Sequence, residues 1–209
     1  MTSFWQPRHA QWRAVSAERD ARHTRAVTDE PTTSAGDPTI EPDTKDWTWV
    51  LERPCAECGF DSRAVRREEV KNRFYANASA WRRVLEHPDA DRRPHPGVWS
   101  PLEYACHVRD VHRVFGERLR MMLAVDDPLF ENWDQDAAAV EGAYAAEEPA
   151  RVADELVHAA AAISRTYGSV EGAQWDRPGR RSNGSVFTVE TLARYHLHDV
   201  EHHLHDVSS

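Results

Sequence analysis

His198 and His202 are the residues whose type and spacing most directly suggest metal chemistry. Residues four apart on an α-helix project about 40° apart around its axis, so both imidazoles would point the same way. Imidazole nitrogens bind Zn²⁺ at about 2.0–2.1 Å, but two ligands do not complete a site. The apolar residues of this segment gather on the opposite side of the helix, which also fits a solvated polar face. The pair therefore has two interpretations, a partial metal site or a polar surface.

Glu201 extends this pair to H-x-x-E-H, the pattern of inverted zincin metalloproteases, in which the glutamate is the general base. The pattern is short and false matches are common, so it does not by itself favour a protease. Glu201 remains a candidate for proton transfer at any site that the histidines form.

His107 lies on the apolar stripe of an earlier helical segment, next to Tyr104 and Val111. A single histidine on such a stripe is more often a core residue than a metal ligand. Asp110 follows within one turn on the same side, however, and a carboxylate there could accept the second ring N–H of a ligating histidine. His107 is thus either a core residue or a ligand that Asp110 orients.

Cys55 and Cys58, followed by Gly59, form C-x-x-C-G, which resembles one half of a zinc ribbon. The chain has three cysteines, so it contains no second C-x-x-C pair. The segment is either a plain pair of small residues at the start of the domain or a separate structural zinc site completed by histidines. An odd number of cysteines also provides no disulfide framework, which predicts a cytoplasmic protein.

Trp133, Arg180 and Arg181 are the candidate substrate-binding residues, and all three are predicted to lie in loops. A tryptophan in a loop is as compatible with binding as with packing. The two arginines could bind a substrate carboxylate through paired hydrogen bonds, although arginine side chains are mostly exposed without such a role.

Four amphipathic helices are predicted to position these side chains, and together they indicate an all-α four-helix bundle. The clearest start is Ser100-Pro-Leu-Glu103, which combines an N-cap serine, a proline at the first helical position and a glutamate three residues after the cap. The predicted helices cover about 62–86, 100–125, 149–167 and 188–207, with a short helix between 134 and 146. The segment from 177 to 185 is predicted to be a loop.

Residues 1–46 differ from the remainder because they end in a run of Pro, Thr, Asp and Gly. Such a run cannot bury enough apolar surface to offset its ordering entropy. The sequence therefore predicts a mobile, poorly ordered N-terminal extension over 1–46 and one bundle domain over 47–209.

The formal charge is −9, from 26 Lys and Arg against 35 Asp and Glu. This balance argues against a nucleic-acid or anionic-membrane surface, since both require clustered positive charge. No stretch approaches the roughly 18 consecutive apolar residues of a membrane-spanning helix. The charge and composition therefore exclude classes of partner and do not indicate a particular function.

Three segments together resemble one protein family: Trp99-Ser-Pro-Leu-Glu103, His107-Val-Arg-Asp110-Val-His112, and His198-x-x-x-His202-His203-Leu204. Their order and spacing are similar to those of the DinB/YfiT-like superfamily of metal-binding four-helix bundles. The resemblance implies one divalent metal, Zn or else Ni or another ion, bound by His107, His198 and His202. It also implies open coordination positions for water or substrate.

The superfamily includes mycothiol-dependent maleylpyruvate isomerase and other mycothiol or bacillithiol S-transferases. The resemblance therefore implies a thiol S-transferase or thiol-assisted isomerase, in which mycothiol is the co-substrate and attacks a small electrophile. Two other functions remain open, a non-enzymatic metal- or small-molecule-binding stress protein and a metal-assisted hydrolase. A homodimer is compatible with either kind of function.

Overall fold

The computed structural model describes residue 40 and residues 45–208. The predicted extension over 1–46 lies almost entirely outside these described residues. The described part contains five α-helices: α1 Arg67–Leu85, α2 Pro101–Ala124, α3 Gln135–Glu141, α4 Pro149–Gly168 and α5 Val189–Asp206. It also contains three short strands: β1 Leu129–Phe130, β2 Pro178–Arg181 and β3 Val186–Thr188.

The four long helices form the predicted all-α bundle. Helix α4 packs against both α1 and α2, and α5 packs against the same two helices from the other side. Because α1 and α2 contact each other little, and α4 and α5 even less, the two members of each pair lie diagonally across the bundle. The core contains large side chains from all four helices, among them Phe74, Trp81, Leu102, Leu119, Leu156, Ile163, Leu192 and Leu197.

Helix α2 begins where the sequence predicts. The Ser100 hydroxyl accepts a hydrogen bond from the backbone N–H of Glu103 at 3.2 Å, and the Glu103 carboxylate accepts one from the backbone N–H of Ser100 at 2.8 Å. This reciprocal pair satisfies two N–H groups that would otherwise lack partners at the helix end. The cap fixes the start of the helix that carries His107.

The predicted loop over 177–185 is instead part of a small three-stranded sheet. Strand β2 pairs in parallel with β1 and antiparallel with β3, with Gly179 opposite Phe187. A Cβ atom at residue 179 would lie 2.7 Å from the Cγ of Met122, so only glycine allows β2 to approach α2 this closely. Strands of two to four residues are too short to show the alternation from which a strand can be predicted.

A short segment precedes α1 and packs against the last helix of the bundle. Trp47–Leu51 forms one turn of 3₁₀-helix in contact with α5, and Val50 within it is fully buried. The turn starts at Asp46, whose carboxylate accepts a hydrogen bond from the backbone N–H of Thr48 at 3.0 Å. This packing brings the C-x-x-C-G segment close to the histidines of α5.

His112 and His196 form a hydrogen-bonded pair inside the bundle, with His112 Nδ1 and His196 Nε2 3.0 Å apart. Both rings are almost completely buried and contact Phe74. Burial lowers the pKa of His112 to about 3, so this ring is neutral near pH 7. The pair is part of the core and lies outside every cluster of three or more donor groups found among the described residues.

Candidate metal centre

A cavity of about 670 Å³ opens where three parts of the chain meet: the segment before α1, from residue 45 to residue 60 (the N-terminal segment), the loop before α3, and α5. Its walls include the aromatic side chains Trp47, Trp99, Tyr104 and Trp133 together with several amide and carboxylate groups. A cavity of this size falls within the roughly 300–1,000 Å³ typical of small-molecule sites.

No described helix is long and apolar enough to cross a membrane.

His107, Asp199 and His203 form a compact group of metal-ligand atoms at this cavity. One donor atom from each residue lies within 4.8 Å of the other two. Asp199 and His203 line the cavity, and His107 lies behind them on α2. Asp199 and His203 are four residues apart on α5, so both project toward α2. The group therefore depends on the packing of α5 against α2.

Three polar atoms of His107 and Asp199 are buried without hydrogen-bond partners. His107 has no exposed surface and neither of its ring nitrogens is hydrogen-bonded, and Oδ1 of Asp199 also lacks a partner. The nearest approach, between His107 Nε2 and Asp199 Oδ1, is 3.5 Å, too long for a well-formed hydrogen bond. Buried polar groups almost always have partners, so these atoms require an explanation, and a bound cation provides one.

The protonation states of His107 and Asp199 suit cation binding. Burial lowers the pKa of His107, which keeps the ring neutral and able to offer a nitrogen lone pair. Burial opposes ionisation of Asp199, but the contact with His107 and the neighbouring histidines outweigh it and hold its pKa well below the usual range. Two neutral imidazoles and one carboxylate are a donor set of catalytic zinc sites, which leave a further position open.

Two tryptophans fix the orientation of His107. Trp133 stacks on the ring with 5.5 Å between centroids and 19° between planes, and Trp99 contacts it at 5.5 Å. His203 meets the same ring edge-on at 4.8 Å. Trp133, predicted as a binding residue, thus contacts the metal-ligand group directly and also lines the cavity.

The three histidines that the family resemblance assigns to one metal lie in two different groups. His107 belongs to the group described above, whereas His198 and His202 join Cys55 and Cys58 in a second one. Within the described part of the chain, no group of neighbouring donor atoms contains all three histidines. One ion shared by His107, His198 and His202 therefore stays a prediction, and the distances favour Asp199 and His203 as partners of His107.

Asp110 and Glu201, predicted to assist the chemistry, are bound by arginines. The Asp110 carboxylate accepts hydrogen bonds from Arg109 at 2.9 Å and from the Tyr144 hydroxyl at 2.6 Å, and none from His107. Glu201 accepts a bidentate pair from Arg73 at 2.6 and 2.8 Å, which joins α5 to α1. Both carboxylates therefore have structural partners, and Asp199 occupies the position next to His107 that was expected for Asp110.

We expect Asp110→Ala to reduce stability without releasing a bound metal. Arg109 is 5% exposed, and loss of the carboxylate leaves its charge with Glu155, at 3.0 Å, as the main remaining partner. Breaking a buried ion pair lowers the free energy of unfolding by roughly 3–5 kcal/mol. Because the contact with Glu155 remains, we expect a loss of about 3 kcal/mol here. Urea denaturation and metal analysis of the same preparation measure both quantities. Loss of the metal at unchanged stability would show that Asp110 supports the metal group.

The two predicted arginines point in opposite directions. Arg181 lines the cavity, where its guanidinium lies over the ring of Tyr195 and donates to Asn183 Oδ1 at 2.8 Å. Arg180 is absent from the cavity lining and pairs with Asp127 at 3.1 Å. They are adjacent on strand β2, and successive strand residues face opposite sides. Only Arg181 is placed to meet a ligand.

Sequence reasoning did not identify Asp199 and His203 as the partners of His107. Both lie within the predicted helix, and they have the same four-residue spacing as His198 and His202. The sequence therefore contains two overlapping pairs, about 100° apart around the helix. Only the packing of α5 shows that one pair faces α2 and the other faces the cysteines.

Comparison with known proteins supports the fold and the family. The DinB superfamily model matches residues 72–207, well over half of the chain. A solved structure, YfiT from Bacillus subtilis, is similar with a TM-score of 0.61 and 17% sequence identity, covering 68% of this chain and 85% of that one. It is described as a probable metal-dependent hydrolase with an unusual four-helix bundle topology. No curated protein sequence matches the chain. The extent of the family match, on the bundle that the structure shows, establishes that this chain belongs to the DinB superfamily.

Proposed function

We propose that the protein is a divalent-metal-dependent enzyme that acts on a small molecule in the 670 Å³ cavity. The observation that carries the proposal is the group of His107, Asp199 and His203, whose donor atoms converge at that cavity within 4.8 Å of one another, with His107 Nδ1 and Nε2 and Asp199 Oδ1 buried and not hydrogen-bonded. These three residues would hold the ion. A set of two nitrogens and one oxygen accepts Zn²⁺ and also Ni²⁺ or other first-row ions.

A divalent cation in this position would lower the pKa of a water or thiol bound beside it and so supply a nucleophile at neutral pH. The chain itself would contribute orientation and exclusion of solvent. Trp133 stacks on the His107 ring and Trp99 contacts it at a tilt, and these two contacts restrict the direction of its ligating nitrogen. Tyr104, at 5.2 Å from the His203 ring, closes the same side of the cavity.

The reaction that we propose is thiol S-transfer or thiol-assisted isomerisation, with mycothiol as the co-substrate and a small electrophile as the acceptor. The lining of the cavity supports a polyhydroxylated thiol, because it combines aromatic side chains with amide groups such as those of Asn132, Gln135 and Asn183. Arg181, at the same wall, is placed to bind a carboxylate of the electrophile. A cytoplasmic location would supply the reduced thiol.

Metal-assisted hydrolysis is the second candidate. The observation that favours it is the donor set, since two histidines and one carboxylate also hold the zinc of water-activating peptidases. The description of the structurally similar YfiT as a probable metal-dependent hydrolase points the same way. In that case the cavity would bind an ester or amide substrate and no thiol.

One experiment separates these functions. The full chain, loaded with Zn²⁺ or Ni²⁺, is incubated with mycothiol and a panel of electrophiles that includes maleylpyruvate, and in parallel with esters and amides without thiol. We expect product only when mycothiol is present, and less of it after His203→Gln. His158→Gln is the matched control, because His158 is exposed on α4 and remote from the cavity lining.

Three results would count against the proposal. Hydrolysis without thiol would establish the second candidate. Metal binding with no turnover on either panel would indicate a binding protein. Protein that stays metal-free at saturating metal would remove the basis of all the metal-dependent functions.

A further inference from the structure

We propose that Cys55, Cys58, His198 and His202 form a second, structural Zn²⁺ site that joins the N-terminal segment to α5. One donor atom from each of the four residues lies within 4.8 Å of the other three. All three cysteines of the chain are free thiols, so no disulfide competes for these sulfurs. The four residues complete the half zinc ribbon that C-x-x-C-G represents.

The contact between the two sides of the site has the length of a tetrahedron edge. Cys55 Sγ lies 3.7 Å from His202 Nδ1. Zn–S and Zn–N bonds of about 2.3 and 2.05 Å at a tetrahedral angle place the two donor atoms about 3.6 Å apart. The other pairs of donor atoms, at most 4.8 Å apart, need to close by no more than about 1.5 Å to reach tetrahedral spacing, a change that side-chain rotation provides.

The backbone around the cysteines turns so that both sulfurs face α5. The backbone N–H of Gly59 donates to the carbonyl of Cys55 at 2.9 Å, and the N–H of Cys55 donates to the carbonyl of Phe60 at 2.8 Å. Gly59 has φ +76°, in the left-handed region that favours glycine. This closed turn brings the thiols, three residues apart, to one side, and it explains why glycine follows Cys58.

His198 and His202 each have a ring nitrogen that is available to a metal ion. His198 is 3% exposed, and its Nε2 is buried without a hydrogen bond. His202 directs Nδ1 toward Cys55, and its Nε2 lies 3.5 Å from Glu57 and 3.6 Å from Asp206. A carboxylate beside the second ring nitrogen is the usual arrangement for a zinc-bound histidine, because it fixes the tautomer that leaves the first nitrogen free.

Aromatic side chains cover the site on the cavity side. Trp47 lies 5.5 Å from the His198 ring and 5.0 Å from the His202 ring, and Phe60 packs edge-on against His198 at 5.5 Å. Four protein donors complete a tetrahedron and leave no position for substrate, which is typical of structural zinc. Two thiolates and two imidazoles in that geometry select Zn²⁺ over ions that prefer oxygen ligands.

The second site does not depend on the proposed function. Its four ligands are distinct from His107, Asp199 and His203, and its role is to hold one wall of the cavity, to which Trp47 and Glu57 belong. The inference also explains why two overlapping histidine pairs occur on α5. Each pair serves a different ion.

Cobalt substitution tests the inference on the full chain. Co²⁺ in a site with thiolate ligands gives a sulfur-to-cobalt charge-transfer band in the near ultraviolet, which sites with only nitrogen and oxygen donors lack. We expect metal-free wild-type protein under anaerobic conditions to develop this band as Co²⁺ is added up to two equivalents, enough to fill both proposed sites. The double variant Cys55→Ser/Cys58→Ser should lose the band and one equivalent of bound metal.

Two controls identify the origin of the signal. Cys106→Ala removes the third thiol, which is buried on α2 outside the group, and should keep the band. Asp199→Asn should also keep it, so failure of the proposed catalytic centre is distinguishable from failure of this site. Absence of the band in wild-type protein, or its persistence in the double variant, would overturn the inference. The wild-type titration remains decisive if the double variant does not fold.

Discussion

Asp199→Asn is expected to weaken cation binding by the group of His107, Asp199 and His203, the α2–α5 centre, by more than about 100-fold. The substitution keeps the size of the side chain but replaces an anionic oxygen donor with a neutral amide. Loss of a residue that only supports a metal ligand already costs about 10–100-fold in affinity, and loss of a ligand should cost more. Competition with a chelator of known affinity measures the change. Metal-dependent activity should fall in parallel.

The same measurement on α5 variants decides which histidines bind the ion of the α2–α5 centre. His203→Gln should weaken binding of the Co²⁺ ion that gives no thiolate charge-transfer band, and His202→Gln should not. The opposite result, with loss in His198→Gln and His202→Gln but not in Asp199→Asn, would establish the single site of His107, His198 and His202 that the family resemblance implies. All the substitutions compared lie on α5, so an effect on the stability of that helix is shared.

The fold could be predicted from the sequence largely because its signals are local. The cap at Ser100 and the apolar periodicity of four segments depend on residues within one or two helical turns of each other. The small sheet could not be predicted in this way. Strand β2 exists because β1 and β3 lie beside it, and Gly179 matters only because Met122 on α2 is close. Neither partner is near in sequence.

For the candidate site as well, local features could be predicted from the sequence and contacts between elements could not. His107 could be identified as a candidate ligand from its helix, and Cys55 and Cys58 from their spacing. The pairing between elements could not, because rotating α5 by about 100° exchanges the His198–His202 face for the Asp199–His203 face. Side-chain direction at Asp110 and Glu201 was equally undetermined, since the competing partners Arg109 and Arg73 are identified only by packing.

Removal of the two N-terminal ligands should also lower thermal stability. We expect Cys55→Ser/Cys58→Ser to melt roughly 10 °C below wild type in the presence of Zn²⁺. A structural zinc contributes about 10–16 kcal/mol to the folding of an isolated zinc finger. Each kcal/mol changes the melting temperature of a domain of this size by about 2–4 °C, so even a third of the lower value accounts for roughly 10 °C. Calorimetry or circular dichroism measures the shift. Cys106→Ala, which removes a fully buried thiol from the core, measures the cost of losing a cysteine without losing a metal.

Chelation provides the sharper comparison, because it separates the metal from the packing of the side chains. In an Asp199→Asn background, in which the α2–α5 ion is bound far more weakly, a strong chelator should lower the melting temperature of the protein with all cysteines intact. The same chelator should leave the Cys55→Ser/Cys58→Ser protein in that background unchanged, since no structural zinc remains to be removed. Equal shifts in both proteins would mean that the cysteines stabilise the domain only through packing. A shift confined to the intact cysteines would show that zinc holds residues 47–60 against α5 and, with them, the Trp47 wall of the cavity.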